Sequence, residues 1–246
     1  MSQDGGSVVG SGGAGEGGGT VGGGHRHFHD ELSQLKVRLL TMSGEAEAAV
    51  RVAVEALLER DPAKADRIIA GDRIIDAMEV EVEEQCLSLL ALQQPMAKDL
   101  RLLMAAFKIS SDLERVGDHA VNIAQAAVRL SEGAPITPEP EIVEMARLAR
   151  EMLADALEAF VRGDAVAGRE ICLRDDKVDA FNRSMFRILL THMMEDPHSI
   201  GAGMQLLLVS RNLERIADLA TNIAEDVVFL VEGKSIKHHA EEFGPK

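Results

Sequence analysis

Eight acidic side chains recur in a pattern suited to a hard metal ion: Asp72 with Asp76, Glu114 with Asp118, Asp175 with Asp179, and Glu214 with Asp218. Each pair is spaced i, i+4, which on an α-helix sets both carboxylates one turn apart on one face. Like charges so placed repel by a few tenths of a kcal/mol per pair, and no lysine one turn on relieves them. A divalent or trivalent cation would relieve them, because hard cations take carboxylate oxygens rather than thiolates. Asn122 and Asn222 extend the Glu114 and Glu214 stripes by a further turn, where they could add a neutral oxygen or hold a water. Arg115 and Arg215 follow the two glutamates and could orient an anion or a partner carboxylate. Their plainer reading is a surface salt bridge worth under about 1 kcal/mol. For the acidic pairs as a whole, the plain alternative is a solvated helix face.

Helices must position these pairs. From about His29 onward apolar residues recur every three or four positions, as in Leu113, Val116, Ala120, Ile123, Ala127 and Leu130, which describes a helix with one buried stripe. Breakers at Asp61-Pro62, Gln94-Pro95, residues 133 to 140, Gly163-Asp164 and Asp196-Pro197 cut the body into helices near 30 to 60, 62 to 93, 95 to 131, 140 to 162, 164 to 195 and 199 to 232. Glu114 and Asp118 each lie one residue beyond a core position, so their stripe is rotated about 100° from the seam and flanks the bundle core. If the preceding antiparallel helix packs beside it, four carboxylates meet at one solvent-accessible place in each half.

The pattern occurs twice. Leu113-Glu114-Arg115, Asp118, Asn122-Ile123-Ala124, Val128, Leu130 and Glu132-Gly133 return as Leu213-Glu214-Arg215, Asp218, Asn222-Ile223-Ala224, Val228, Leu230 and Glu232-Gly233, at a constant offset of 100. Upstream, Asp61, Asp72, Asp76 and Ala77 match Asp164, Asp175, Asp179 and Ala180 at an offset of 103. The unit is therefore three helices used twice, joined by short connections that make neighbours antiparallel. The expected fold is all-α, two tandem three-helix bundles in a pseudo-twofold repeat. Its expected parts are a disordered glycine-rich leader over 1–28, a first bundle over 29–133, a linker over 134–140, a second bundle over 141–233 and a tail over 234–246.

Composition narrows the function classes. The first 24 residues are half glycine with almost no large apolar side chains, too little to offset the entropy of ordering them, and they lack the basic start and apolar core of a secretory signal. No apolar run approaches 18 residues, so no segment reads as a membrane span, and a cytoplasmic body is expected. A net charge of −15 opposes nucleic acid, and with no Trp or Tyr there is no stacking platform for single strands. Cys86 and Cys172 lie in apolar helical stretches and read as buried free thiols.

Two runs carry a resemblance. Asp112-Leu-Glu-Arg-Val-Gly-Asp-His-Ala-Val-Asn-Ile-Ala and Asn212-Leu-Glu-Arg-Ile-Ala-Asp-Leu-Ala-Thr-Asn-Ile-Ala resemble the paired signatures of the PhoU family, and Gln94-Pro-Met-Ala-Lys-Asp-Leu-Arg101 resembles the segment opening that family's third helix. The resemblance runs from about His29 to Gly233. It implies a cytoplasmic, non-enzymatic regulator between the phosphate-specific ABC transporter, through its ATPase subunit, and a sensor histidine kinase. Such a regulator represses the phosphate-starvation response when phosphate is plentiful and approaches the membrane only through partners. It also implies a homodimer, and metal ions (iron, zinc, manganese or magnesium) on Asp72, Asp76, Glu114, Asp118, Asp175, Asp179, Glu214 and Asp218. This chain departs from the pattern in its glycine-rich leader, in Ala217 where the first repeat has Gly117, and in the absence of a Gln94 to Arg101 equivalent from the second repeat.

Two other classes stay open. A carboxylate-bridged metal oxidoreductase of the helical-bundle type needs Glu-x-x-His pairs, and the one such spacing, Glu195 with His198, is interrupted by Pro197. A purely structural helical adaptor would leave the acidic faces merely solvated.

Overall fold

The computed structural model describes residues 21–133 and 139–237. The first half folds as α1 (Val21–Glu59), α2 (Pro62–Gly71), α3 (Arg73–Gln93) and α4 (Lys98–Glu132). The second repeats the order as α5 (Pro140–Arg162), α6 (Ala165–Cys172), α7 (Asp175–Glu195) and α8 (Ile200–Glu232), with a 3-10 turn at Pro197–Ser199 before α8. The fold is all-α, two tandem three-helix bundles, with α2–α3 and α6–α7 each doing the work of one bent helix.

The bends depart from the helices expected over 62 to 93 and 164 to 195. Asp72 keeps helical angles (φ −50°, ψ −42°), and the Asp76 N–H still donates to the Asp72 carbonyl at 3.3 Å, so the first break is slight. The second is wider, with Leu173 and Arg174 standing between α6 and α7. In both, the two segments pack on the same long helix, α2 and α3 on α4, α6 and α7 on α8. Tertiary packing decides the bend, and apolar spacing hardly changes across it, so periodicity does not reveal it.

Each bent helix opens with the same cap. Asp61 (φ −103°, ψ 97°) accepts from the Ala63 and Lys64 N–H groups, and Asp164 (φ −102°, ψ 94°) from Val166 and Ala167. Replacing either aspartate by alanine is expected to cost about 1 kcal/mol, measured by chemical denaturation.

The ends differ from their expected boundaries. α1 begins at Val21, inside the stretch read as leader, and Phe28 is buried where it continues the stripe of Leu32, Leu35 and Leu39. Residues 1–20, most of the linker and residues 238–246 lie outside the described residues. Pro140, assigned to the linker, is the first residue of α5, the position a proline suits best. Ile236, assigned to the tail, is buried.

α4 and α8 form the centre, and they run antiparallel. Arg101 Nε donates to the Leu230 carbonyl at 3.1 Å, Lys108 Nζ to Asp226 Oδ1 at 3.1 Å, and His119 Nδ1 lies 2.9 Å from Asn212 Oδ1, so partners descend on one helix as they ascend on the other. α1 packs on α5 as well, and one continuous apolar core runs through both bundles. Cys86 and Cys172 are buried free thiols, both pushed up to about 12 chiefly by burial.

Candidate metal centre

In the first bundle, α3 lies antiparallel against α4 with Glu79 facing Ser111. That pairing also sets Asp76 opposite Glu114 and Asp72 opposite Asp118. Glu114 is pushed up to about 7, first by burial and then by Asp118, Glu79, Asp76 and Asp72. Asp72 is raised by burial, Asp76 and Asp118. The charges that act most strongly on Glu114 are all negative. The four residues picked from the sequence thus share one field.

Sequence reasoning missed a fifth member. Glu79 stands one turn beyond Asp76 on α3 and is itself raised by burial and by Glu83, Asp76 and Asp118. The extension of the acidic stripe from Asp76 by three residues was the signal for it. Gly117 keeps the junction tight, since a Cβ there would lie 3.0 Å from Ile75 Cδ1 and 3.5 Å from Asp72 Oδ1.

The second bundle repeats the layout with different neighbours. Asp175 is pushed up to about 7 by burial, then by Asp218, Asp179, Asp176 and Glu214. Glu214 and Asp218 are raised mainly by burial, and Arg215 and Arg211 oppose the rise in both. Arg215 Nη1 donates to Asp218 Oδ2 at 3.1 Å, and Arg183 Nη1 to Asp179 Oδ2 at 3.3 Å. The position matching Glu79 is Asn182, whose amide oxygen accepts from Ser210 Oγ at 2.7 Å. The second cluster is therefore partly neutralised, and the first is not.

Arg115 pairs with Asp112 at 3.7 Å, away from the four carboxylates of its bundle. Asn122 is exposed and Asn222 half-buried on the expected stripe. Glu195 closes α7 and His198 sits in the following 3-10 turn, both exposed. They do not present two ligands from one helix face, as a bundle di-metal oxidoreductase requires.

The donor sets suit a hard cation. They are all carboxylate, they repel one another, and in the second bundle Asp175 Oδ1 and Glu214 Oε2 are enclosed with no hydrogen-bond donor. Among the described residues no three His, Cys, Asp or Glu side chains are already gathered as a metal-binding group. An ion would have to draw the oxygens together.

This electrostatic load carries a pH dependence. Glu114 and Asp175 hold their protons more tightly folded than at the ordinary carboxylate values of 4.5 and 3.8. Their favourable contribution is complete below those values and is lost as pH rises toward about 7. In chelator, stability is expected to fall between pH 5 and pH 7.5 by roughly 1 kcal/mol, a figure reduced for solvent screening. Thermal melts of the parent and of Glu114→Gln with Asp175→Asn check this, the variant showing the flatter profile.

The comparison with known proteins decides the family. A model described as the PhoU domain matches residues 39–127 and again 142–227, one copy on each bundle. The chain belongs to the PhoU family. It is 40% identical over 212 residues to a phosphate-specific transport system accessory protein PhoU homolog of Caulobacter vibrioides, covering 86% of this chain and 92% of that protein. A homolog of the same description from Aquifex aeolicus is 40% identical over 215 residues, with 87% and 97% covered. Among solved structures, PhoU from Pseudomonas aeruginosa matches with a TM-score of 0.80 at 38% identity over 84% of this chain and all of that one. The phosphate transport system regulatory protein PhoU from Streptococcus pneumoniae matches at 0.79 and 33% identity, with 85% and 98% covered. Each PhoU domain here thus contributes one carboxylate cluster, on its second and third helices.

Proposed function

We propose that this chain is a cytoplasmic accessory and negative regulator of a phosphate-specific transport system, acting by binding rather than catalysis. Near-complete coverage of relatives named as accessory proteins of that system carries the reading. No helix among the described residues is long and apolar enough to cross a membrane, so the chain reaches the transporter through partners. Those partners are the transporter's ATPase subunit and a sensor histidine kinase, and the working form is a homodimer. When phosphate is plentiful the chain holds the starvation response off. Deleting it should make phosphate-starvation genes constitutive, scored as reporter activity in phosphate-replete medium, and unchanged repression would sink the proposal.

The carboxylate clusters are the metal-holding part of this reading. Asp72, Asp76, Glu114 and Asp118, joined by Glu79, would hold an ion on the first bundle, and Asp175, Asp179, Glu214 and Asp218 would hold one on the second. Bound iron, zinc, manganese or magnesium would neutralise the charge and tie the second helix of each bundle to the third. Asn122 and Asn222 stand one turn further along. Arg215 moderates the second cluster, whereas Arg115 is engaged with Asp112.

A further inference from the structure

The surface between α3 and α4 changes character along its length. Beyond the acidic cluster, toward the α3–α4 connection, large apolar side chains stand in solvent: Leu87 is 58% exposed, Leu100 41% and Met104 42%. α3 and α4 run antiparallel from a short connection, which carries Leu87 to the level of Met104. Leu92 and Met96 continue the strip at 75% and 81% exposure. Solvated helices rarely carry such a strip without a use, and methionine adapts readily to a partner's shape.

The second bundle has apolar residues at matching places, Leu190 for Leu87, Ile200 for Leu100 and Met204 for Met104, all exposed. Their neighbours differ in sign. Glu79 and Glu83 flank the strip of the first bundle, where the second has the uncharged Asn182 and Phe186. The second strip instead has exposed Arg183, Arg187 and Arg211 beside it. Retained apolar positions with opposite flanking charge point to two surfaces that choose different partners.

We propose that the α3–α4 face of the first bundle docks a basic amphipathic helix of a partner protein, its apolar side on Leu87, Leu100 and Met104 and its lysines or arginines on Glu79 and Glu83. The chemistry is that of a helix laid in an apolar groove with acidic rims. An anionic lipid surface is disfavoured by the same carboxylates. A second copy would meet this strip with its arginine-flanked α7–α8 face, a head-to-tail contact rather than a twofold one. The inference rests on the adaptor reading in taking a protein segment as the occupant.

The test uses the full chain in chelator and a fluorescent 18-residue peptide of leucine and lysine, with leucines at i, i+3, i+4 and i+7. One control peptide has the same composition with the leucines scattered, and a second replaces lysine by glutamate. Anisotropy titration should show the patterned basic peptide binding at least about tenfold more tightly than either control. Leu87→Ser with Leu100→Ser and Met104→Ser should remove about tenfold of that affinity while the helical circular dichroism stays unchanged. Leu190→Ser with Ile200→Ser and Met204→Ser should leave it alone. Equal binding by the scattered peptide, no loss in the first variant, or an equal loss in the second would overturn the proposal. So would a concentration-dependent association in sedimentation that the first variant abolishes, since a second copy would then be the occupant. Failure here with constitutive starvation genes in the deletion strain would leave the adaptor reading standing.

Discussion

Adding Mn2+ to the chelated parent at a hundredfold excess over its dissociation constant is expected to raise stability by about 2.7 kcal/mol for each occupied cluster. The Glu114→Gln, Asp118→Asn variant should lose the share that comes from the first bundle. The amides keep the side-chain shapes but remove the charge that attracts a hard cation. They also remove the repulsion, which is why the order of stabilities should reverse between conditions. Without metal, Glu114 sits in a field dominated by carboxylates, so its neutral replacement should equal or exceed the parent. With metal, a ligand bound only to the native state favours the parent. Calorimetric melts with Mn2+, Fe2+, Mg2+ and Zn2+ in turn would settle the matter. Identical responses of parent and variant to all four would leave the cluster as a solvated acidic face.

The second cluster should respond less steeply to the same substitutions. Arg215 and Arg211 already relieve Glu214 and Asp218, so neutralising that pair removes less repulsion in chelator. The repeat alone treats the two clusters as equivalent. Their difference lies in the substitution of Asn182 for the position of Glu79, and in arginines one turn from the carboxylates.

Much of the fold was legible because the repeat is written in residues with strict local duties. Asp61 and Asp164 cap helices with nearly identical angles, and the three-and-four spacing of Leu113 to Leu130 returns in α8. The bends at Asp72 and before Asp175 were not legible, since both segments bury apolar sides on one long partner and the spacing barely registers the break. Phe28 was hidden by the polar histidines beside it and the glycine run that ends at Gly24, although it stands four residues before Leu32 and belongs to the same stripe. The contact between bundles was hidden for a different reason. It is made where the repeats disagree: Lys108 faces Asp226, and His119 faces Asn212, while the matching positions are Leu208, Ala126, Leu219 and Asp112. A pseudo-symmetric seam needs unlike residues across it, so deviations from the repeat mark the interface. His119, where the second repeat has Leu219, is one of those residues.

That seam bears on how the molecule comes apart. Leu113 on α4 and Leu213 on α8 are both fully buried, and each belongs to the single core that spans the bundles. Truncating either to alanine is expected to cost about 2–5 kcal/mol, the usual range for a leucine whose cavity cannot collapse. The form of the transition discriminates more than its size. If the two PhoU domains were independent, Leu113→Ala would move one of two transitions and leave the other in place. Because α4 packs along α8 and α1 along α5, removing either bundle would strip apolar surface from the other. Both variants should therefore lower one common transition, with circular dichroism and calorimetry agreeing on its midpoint. Lys108 and His119 tie the same helices together by polar contacts, but Lys108 is half in solvent, so packing supplies most of the coupling. Two resolved transitions in Leu113→Ala, with the second where the parent melts, would show instead that each bundle stands alone and that the seam between α4 and α8 is a contact between finished domains.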